Sequence, residues 1–369
     1  MAFDVPYPVD YGGVFDVFYK LDALQRAGIQ IHLHCFEYGR GRQPELEKYC
    51  AEVHYYPRVI KPTAFLNGIP YIVSSRSHHK LPERLNADNY PVFMEGIHCT
   101  WFLYNHEIDS QRCHVRLMNV EHIYYAHLAG FEKDWLRKTY YRKEADWLKK
   151  YEKMLVNRGK FYAIGENDLK YFQTILGYSN IVHLPLFLKE QRVYRHNGKG
   201  NYCLYHGNLS VPENVYAVRW LVKHVASALP GVHFLFAGKN PASELVGLAE
   251  MASNIRIIAN PAASEMEQLL VNAQIHLLPS FNKTGIKLKL IEALYFGRFC
   301  IVNKAGADGD DLQSCCLLAE DPEEFINHIR NHMDREVPEE TYSHREHVLT
   351  SLFDNDRNAQ FLIRSIWPA

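Results

Sequence analysis

Short apolar runs alternate with amphipathic helical stretches along nearly the whole chain, and the alternation stops and restarts once. That pattern limits the fold most, because strand, helix and strand in succession close as a parallel βαβ unit. In the first half the spacing predicts strands at 2–5, 29–36, 52–56, 91–95, 115–120 and 160–164, with a helix over 14–27 that ends at Gly28. The run L-P-L-F at 184–187 then leads into a polar, glycine-containing stretch at 189–200, which reads as a linker. Beyond it strands are predicted at 202–206, 233–237, 255–258, 275–278 and 299–303, and helices at 213–228, 242–251, 264–272 and 286–296. A last helix covers 354–367. The expected architecture is α/β: two Rossmann-like, doubly wound domains over 1–188 and 189–353 that face a central cleft. The segment 354–369 is expected to pack back on the first domain. Ligands bind at the carboxyl ends of such sheets, which places the expected site in the cleft.

Composition removes several function classes. Among 369 residues the formal net charge is −1, so bulk charge offers nothing to nucleic acid. The 8 cysteines form no C-x-x-C pair and most sit in apolar contexts, as expected of reduced thiols in the cytoplasm. The 20 histidines show no H-E-x-x-H spacing, and no metal or other cofactor is expected. No window approaches the length of a membrane span, and the first residues lack the regions of a signal peptide. A helix over 134–155 has an apolar stripe of Leu136, Tyr140, Trp147, Leu148, Tyr151 and Leu155. Its basic residues alternate with Glu144, Asp146 and Glu152, which predicts a salt-bridged outer face. The alternative is weak peripheral docking on an anionic inner-membrane surface.

Residues 284–302 carry the chemistry. They read as a glycine turn at Gly285, a helix, a second glycine at Gly297 and an apolar strand. Lys287 and Lys289 fall in the first turn of that helix, where the macrodipole is already positive and amides are unpaired. Lysines there are unfavourable unless an anion binds, so the pattern predicts a phosphate site. Glu292, one turn on, is placed to accept hydrogen bonds from sugar hydroxyls, or else to pair with Lys289 on the surface. Gly12 and Gly13 open the first helix and either form a plain tight turn or let a phosphate or sugar approach the backbone. Glu95, His98, Asn119, Glu121 and His122 follow predicted strands at the expected cleft lip; the histidines are either site residues or hydrogen-bonded core. The run D-G-D at 308–310 lies in a polar loop and reads as a turn rather than a metal motif.

Four segments together resemble the retaining glycosyltransferases of the GT-B fold, family 4. They are P-Y-P-V-D-Y-G-G at 6–13, H-G-N-L-S at 206–210 followed by P-E-N at 212–214, F-A-G-K at 236–239, and the run at 279–293. The last is similar to the family's E-x7-E segment. The resemblance implies that Glu292 binds the nucleotide ribose. It also implies a donor-binding role for Gly207, Asn208, Lys239, Thr284, Gly285, Lys287 and Lys289, with Gly12 and Gly13 facing the donor. The family's first glutamate falls at Thr284, as in a branch that carries G-I-K-x-K-x-x-E. The family's arginine and lysine after the first C-domain strand fall near Asn208 and Asn214, which leaves phosphate neutralisation to Lys287 and Lys289. A family histidine that contacts the transferred sugar falls near Met118 or Asn119, with His122 close by.

The implied reaction moves a sugar from a nucleotide-diphosphate donor to an acceptor hydroxyl with retention, in glycan or cell-surface polysaccharide synthesis. The acceptor is a glycan or a lipid-linked one. His98, Asn119, Glu121 and His122 would orient the sugar, and the leaving phosphate would help deprotonate the acceptor. Two alternatives stay open: a nucleotide-sugar epimerase with Glu95 and Glu121 as its acid/base pair, and a non-catalytic protein of the same fold.

Overall fold

The computed structural model describes residues 1–60, 68–189, 192–250 and 252–368. The chain divides into two compact units. Unit 1 comprises Met1–Ala126, Leu136–Glu190 and Leu352–Ala369, and unit 2 comprises His127–Trp135 and Gln191–Ser351. The predicted linker at 189–200 contains Glu190 and Gln191, which lie outside the described residues.

In unit 1, β1 (His32–Glu37) and β2 (Glu52–Pro57) form a parallel pair. A parallel four-stranded sheet follows in the order β3 (Val92–Glu95), β4 (Cys113–Leu117), β5 (Lys160–Ala163), β6 (Ile181–His183). The predicted strand at 2–5 is reduced to a bridge between Ala2 and Cys35. It still links the two sheets, because Ala2 N–H donates to His34 O at 2.8 Å and Glu95 N–H donates to Met1 O at 2.9 Å. The helix Gly12–Arg26 lies over this arrangement, and Asn355–Ile366 packs beside it through Ala359 and Leu362 against Ala23, Tyr162 and Phe187.

Four charged side chains are buried where these elements meet. Lys20 Nζ lies 2.9 Å from both Asp16 and Glu95, and Arg116 grips the Asp16 carboxylate at 3.0 and 3.1 Å. Two positive and two negative groups balance in a dry interior, the condition under which burial of ions is tolerated.

The long helix is Trp135–Leu155, and it departs from the predicted pattern. Leu148, Tyr151 and Leu155 are buried, but Leu136 is 61% exposed. Glu144 and Glu152, read as members of a salt-bridged surface, are buried instead. Each accepts from a helix-start amide: Ile72 N–H to Glu144 at 2.9 Å and Glu121 N–H to Glu152 at 2.8 Å. Unpaired amides at a helix start recruit carboxylates more strongly than solvent-screened lysines do.

Unit 2 is one parallel sheet in the order β12-β11-β10-β7-β8-β9. The strands are β7 (Tyr202–His206), β8 (His233–Gly238), β9 (Ile255–Ala259), β10 (Ile275–Leu277), β11 (Phe299–Val302) and β12 (Leu317–Leu318). Such sheets are covered on both faces, which is why their strands read as continuous apolar runs. Among the described residues no helix is long and apolar enough to cross a membrane.

Candidate active site

In unit 2 the predicted donor residues gather at the carboxyl ends of β7, β8 and β10. Gly207 N–H donates to Ala237 O at 3.1 Å and Leu209 N–H to Lys239 O at 2.9 Å, so the turns after β7 and β8 are stitched together. Gly238 permits this, because a Cβ there would stand 1.7 Å from the Gly207 carbonyl oxygen. Asn208 is exposed on the turn, with its side-chain oxygen taking the Ser210 amide at 3.1 Å; Lys239 is exposed beside it.

After β10 the chain makes a side-chain-braced loop. Thr284 is buried, and both its amide and its hydroxyl donate to Asn282 Oδ1 at 3.0 Å. Gly285 follows in the left-handed region at φ 67°. The helix then begins at Leu288 rather than at 286, which makes Lys287 its cap residue and takes it out of the first turn. Lys287 Nζ curls back onto the carbonyls of Thr284 and Gly285 at 2.5 and 3.0 Å. These carbonyls hold the Lys287 ammonium at the loop, so the two lysines do not act as an equivalent pair.

Lys289 is different. Its Nζ donates to Tyr205 Oη and Asn214 Oδ1, both at 3.0 Å, and lies 4.8 Å from the centre of the Tyr205 ring. Burial lowers its pKa to about 8, with Glu213 opposing the shift and Lys287 adding to it. Its only hydrogen-bond partners are neutral, and it makes no ion pair among the described residues. Glu292 does not pair with it; that carboxylate takes His206 Nε2 at 3.3 Å and remains 45% exposed. The helix start has no side-chain cap and no acid in its first turn. Sequence reasoning named both lysines and Glu292 but missed Tyr205 and Asn214 as the partners of Lys289 and His206 as the partner of Glu292. Asp308, in the D-G-D run, is the cap residue of the helix Gly309–Ser314.

Unit 1 brings Asn119, Glu121 and His122 together just after β4. His122 is enclosed: Nδ1 bonds to Glu152 and Nε2 to Tyr171 Oη at 3.1 Å. Glu121 is buried, and Asn119 Nδ2 reaches it at 3.5 Å. Burial, then the charge of Glu152, push the Glu121 pKa up to about 8. Glu95, the proposed epimerase partner of Glu121, is bound instead by Lys20. His98 follows β3 and stacks on Phe3 with ring centres 5.0 Å apart. Gly13 lies against Tyr11 and Phe3, at the start of a helix with no side-chain cap.

The raised Glu121 pKa has a measurable consequence. The folded protein holds this proton from pH 4.5 to about 8 while the unfolded chain releases it. The stability that this group contributes is therefore fully present below pH 4.5 and falls across that window, by at most about 1.4 kcal/mol per pH unit. Glu121→Gln should flatten the decline in Tm between pH 5 and pH 8; identical profiles for the two proteins would mean that Glu121 is already ionised when folded.

Residues 200–335 match the family model described as glycosyl transferases group 1. That match spans the unit 2 stretch from Gly207 to Glu292 that holds the candidate donor residues, and the fold is the GT-B fold of two Rossmann-like domains. The chain is 27% identical to the "Uncharacterized 44.6 kDa protein in cps region" of Klebsiella pneumoniae, over 352 residues and 89% of each chain. Sucrose-phosphate synthase of Thermosynechococcus elongatus superposes with a TM-score of 0.68 at 13% identity, covering 98% of this chain and 97% of that one. Anabaena HepE, in complex with UDP and glucose, superposes with a TM-score of 0.63 at 10% identity, covering 99% and 98%. The chain spans 50% of the length of TarM, which matches 69% of it.

Proposed function

We propose that the protein transfers a hexosyl group from a nucleotide-diphosphate donor to a glycan or lipid-linked acceptor hydroxyl, with retention, in polysaccharide synthesis. One observation carries the donor assignment: Lys289 is held by neutral partners at the start of a helix with no side-chain cap, at the carboxyl end of a parallel sheet. A partly desolvated ammonium beside helix-start amides suits a diphosphate. Glu292 then serves the ribose, with His206 orienting its carboxylate. Positive charge from the lysines stands in for a metal on the departing diphosphate. The transition state has oxocarbenium character, so stabilising the leaving group is the main task. The UDP bound to HepE and the cps-region context of the Klebsiella pneumoniae relative agree with this reading. The epimerase alternative loses its second carboxylate, because Glu95 is bound by Lys20.

Thermal unfolding with UDP, GDP, CDP and dTDP tests the proposal. A nucleotide at 100 times its Kd should stabilise by about 2.7 kcal/mol. A shift with one base, unchanged by EDTA, is the expected result. No shift with any of them, in a folded protein, would overturn the donor assignment and favour a non-catalytic role.

A further inference from the structure

Unit 1 holds two neighbouring arginines that pair with no carboxylate among the described residues. Arg76 is 3% exposed. Its Nε donates to Phe3 O at 2.9 Å and its Nη1 to Ile72 O at 2.5 Å, while Nη2 makes no hydrogen bond among the described residues. Arg58, just beyond β2, gives Nε and Nη2 to the Ser75 hydroxyl at 3.3 and 2.9 Å. Both guanidinium groups lie over the Tyr38 ring, Arg58 at 4.5 Å and Arg76 at 5.7 Å. Two like charges therefore meet at one aromatic ring.

Among the described residues no carboxylate neutralises them. The adjoining stretch 61–67 contains no Asp or Glu. Glu144 is engaged by the Ile72 amide. Carbonyls and a hydroxyl satisfy donors but leave the charge, and burying an uncompensated guanidinium is unfavourable. Arg76 also lies 5.9 Å from the Phe3 ring, on which His98 stacks at 5.0 Å. Burial, and then the two arginines, depress the His98 pKa well below its ordinary value, so its imidazole is neutral. Its Nδ1 is buried without a partner against Gly96, which leaves Nε2 as the outward atom. The Gly12–Gly13 turn borders the same ring, since a Cβ on Gly13 would stand 3.0 Å from Phe3.

We propose that Arg76 and Arg58, with His98 beside them, bind an oxyanion of the acceptor: the phosphate or carboxylate group of a charged sugar or glycan. The planar guanidinium fork matches either group in two parallel hydrogen bonds. This inference rests on the proposed function: with the donor residues in unit 2, unit 1 is taken as the acceptor side, and the acceptor is narrowed to anionic ones.

The test uses the full chain saturated with UDP, so that the donor site is filled, at constant ionic strength. Inorganic phosphate and glucuronate are titrated separately by calorimetry. At least one should bind, and Arg58→Gln should weaken it by about ten-fold or more while the UDP Kd stays within about two-fold. Arg58→Lys, which keeps the charge and loses the fork, should fall between. Binding of phosphate alone points to a phosphorylated acceptor, and of glucuronate alone to a uronic acid. Arg76→Gln should abolish binding if it folds; the half-buried Arg58 variants carry the test if it does not. Failure of both probes to bind wild type, or equal binding by wild type and the Arg58 variants, would overturn the proposal. If UDP fails to bind but phosphate binds and is lost in Arg58→Gln, the anion site stands and the donor assignment falls.

Discussion

Asp16→Ala is expected to destabilise the protein by about 3–5 kcal/mol, the loss typical of removing one partner from a buried ionic group. Asp16 receives Lys20, both arms of Arg116 and the Phe187 amide at 2.9 Å. Without it, Lys20 and Arg116 stay buried with Glu95 as the remaining acid of the group. For a domain of this size the fall in Tm should be roughly 6–20 °C. Asp22→Ala on the same helix is the control, because Asp22 pairs with Arg26 at the surface at 3.2 Å and should cost less than about 1 kcal/mol. Acid offers a second readout. Burial would raise the Asp16 pKa, but Arg116 and Lys20 outweigh it and hold the carboxyl at about 2. A depressed carboxylate stabilises the fold above its unfolded value of 3.8, and that stability is lost as pH falls toward 2. The variant should lose this acid-sensitive step. A Tm within about 2 °C of wild type would show that the four charges contribute little net stability.

If Lys289 meets the donor as proposed, Lys289→Ala should reduce kcat/KM by about 10²–10³ and weaken nucleotide binding, because it removes a charge placed for the leaving diphosphate. The pH dependence has a definite sign. Only the ammonium form attracts the diphosphate, and in the free protein that form is lost as pH rises through about 8. Nucleotide Kd should be flat below pH 8 and rise by up to about ten-fold per unit above it, until the raised pKa of the complex is reached. Lys289→Arg, charged throughout, should remove the pH dependence even where affinity suffers. Calorimetric titration of wild type and both variants from pH 6.5 to 9.5 checks these points. A wild-type profile matching that of Lys289→Arg would mean that Lys289 does not titrate in this range or does not meet the phosphates.

Much of the architecture was legible because helix and strand periods are local. The strand at 202–206 appears with the predicted bounds, and those at 255–258 and 275–278 differ by one residue at the end. Strands β6 and β12 were missed, being 3 and 2 residues long and too short for any period to show. The helix Pro322–His332 was also missed, although its start carries a readable signal: Asp321 caps the Glu324 amide, and Pro322 follows it. Glu339–Phe353 offers a weaker signal, since its apolar residues do not form one clean stripe.

The candidate site was legible as residue types and illegible as partnerships. Two lysines at a helix start predicted an anion site, but a shift of two residues in that start made Lys287 a cap braced by its own loop. Lys289 is held by Tyr205, 84 positions away, and Asn214, 75 positions away. Glu152 looked like a surface acid and is buried under His122.

What the sequence determined by itself was the order of parallel βα units, the break between two sets of them, and the residues delivered to the strand ends. These follow from backbone hydrogen bonding and the alternation of apolar side chains, which neighbouring residues settle among themselves. The tertiary structure alone decided which charges are neutralised and which are not. Arg116 meets Asp16 across 100 positions, whereas Arg76 and Arg58 meet each other and no acid among the described residues. The physical reason is that the energy of a charge depends on its burial and on the groups brought against it, and both are properties of packing rather than of sequence neighbours.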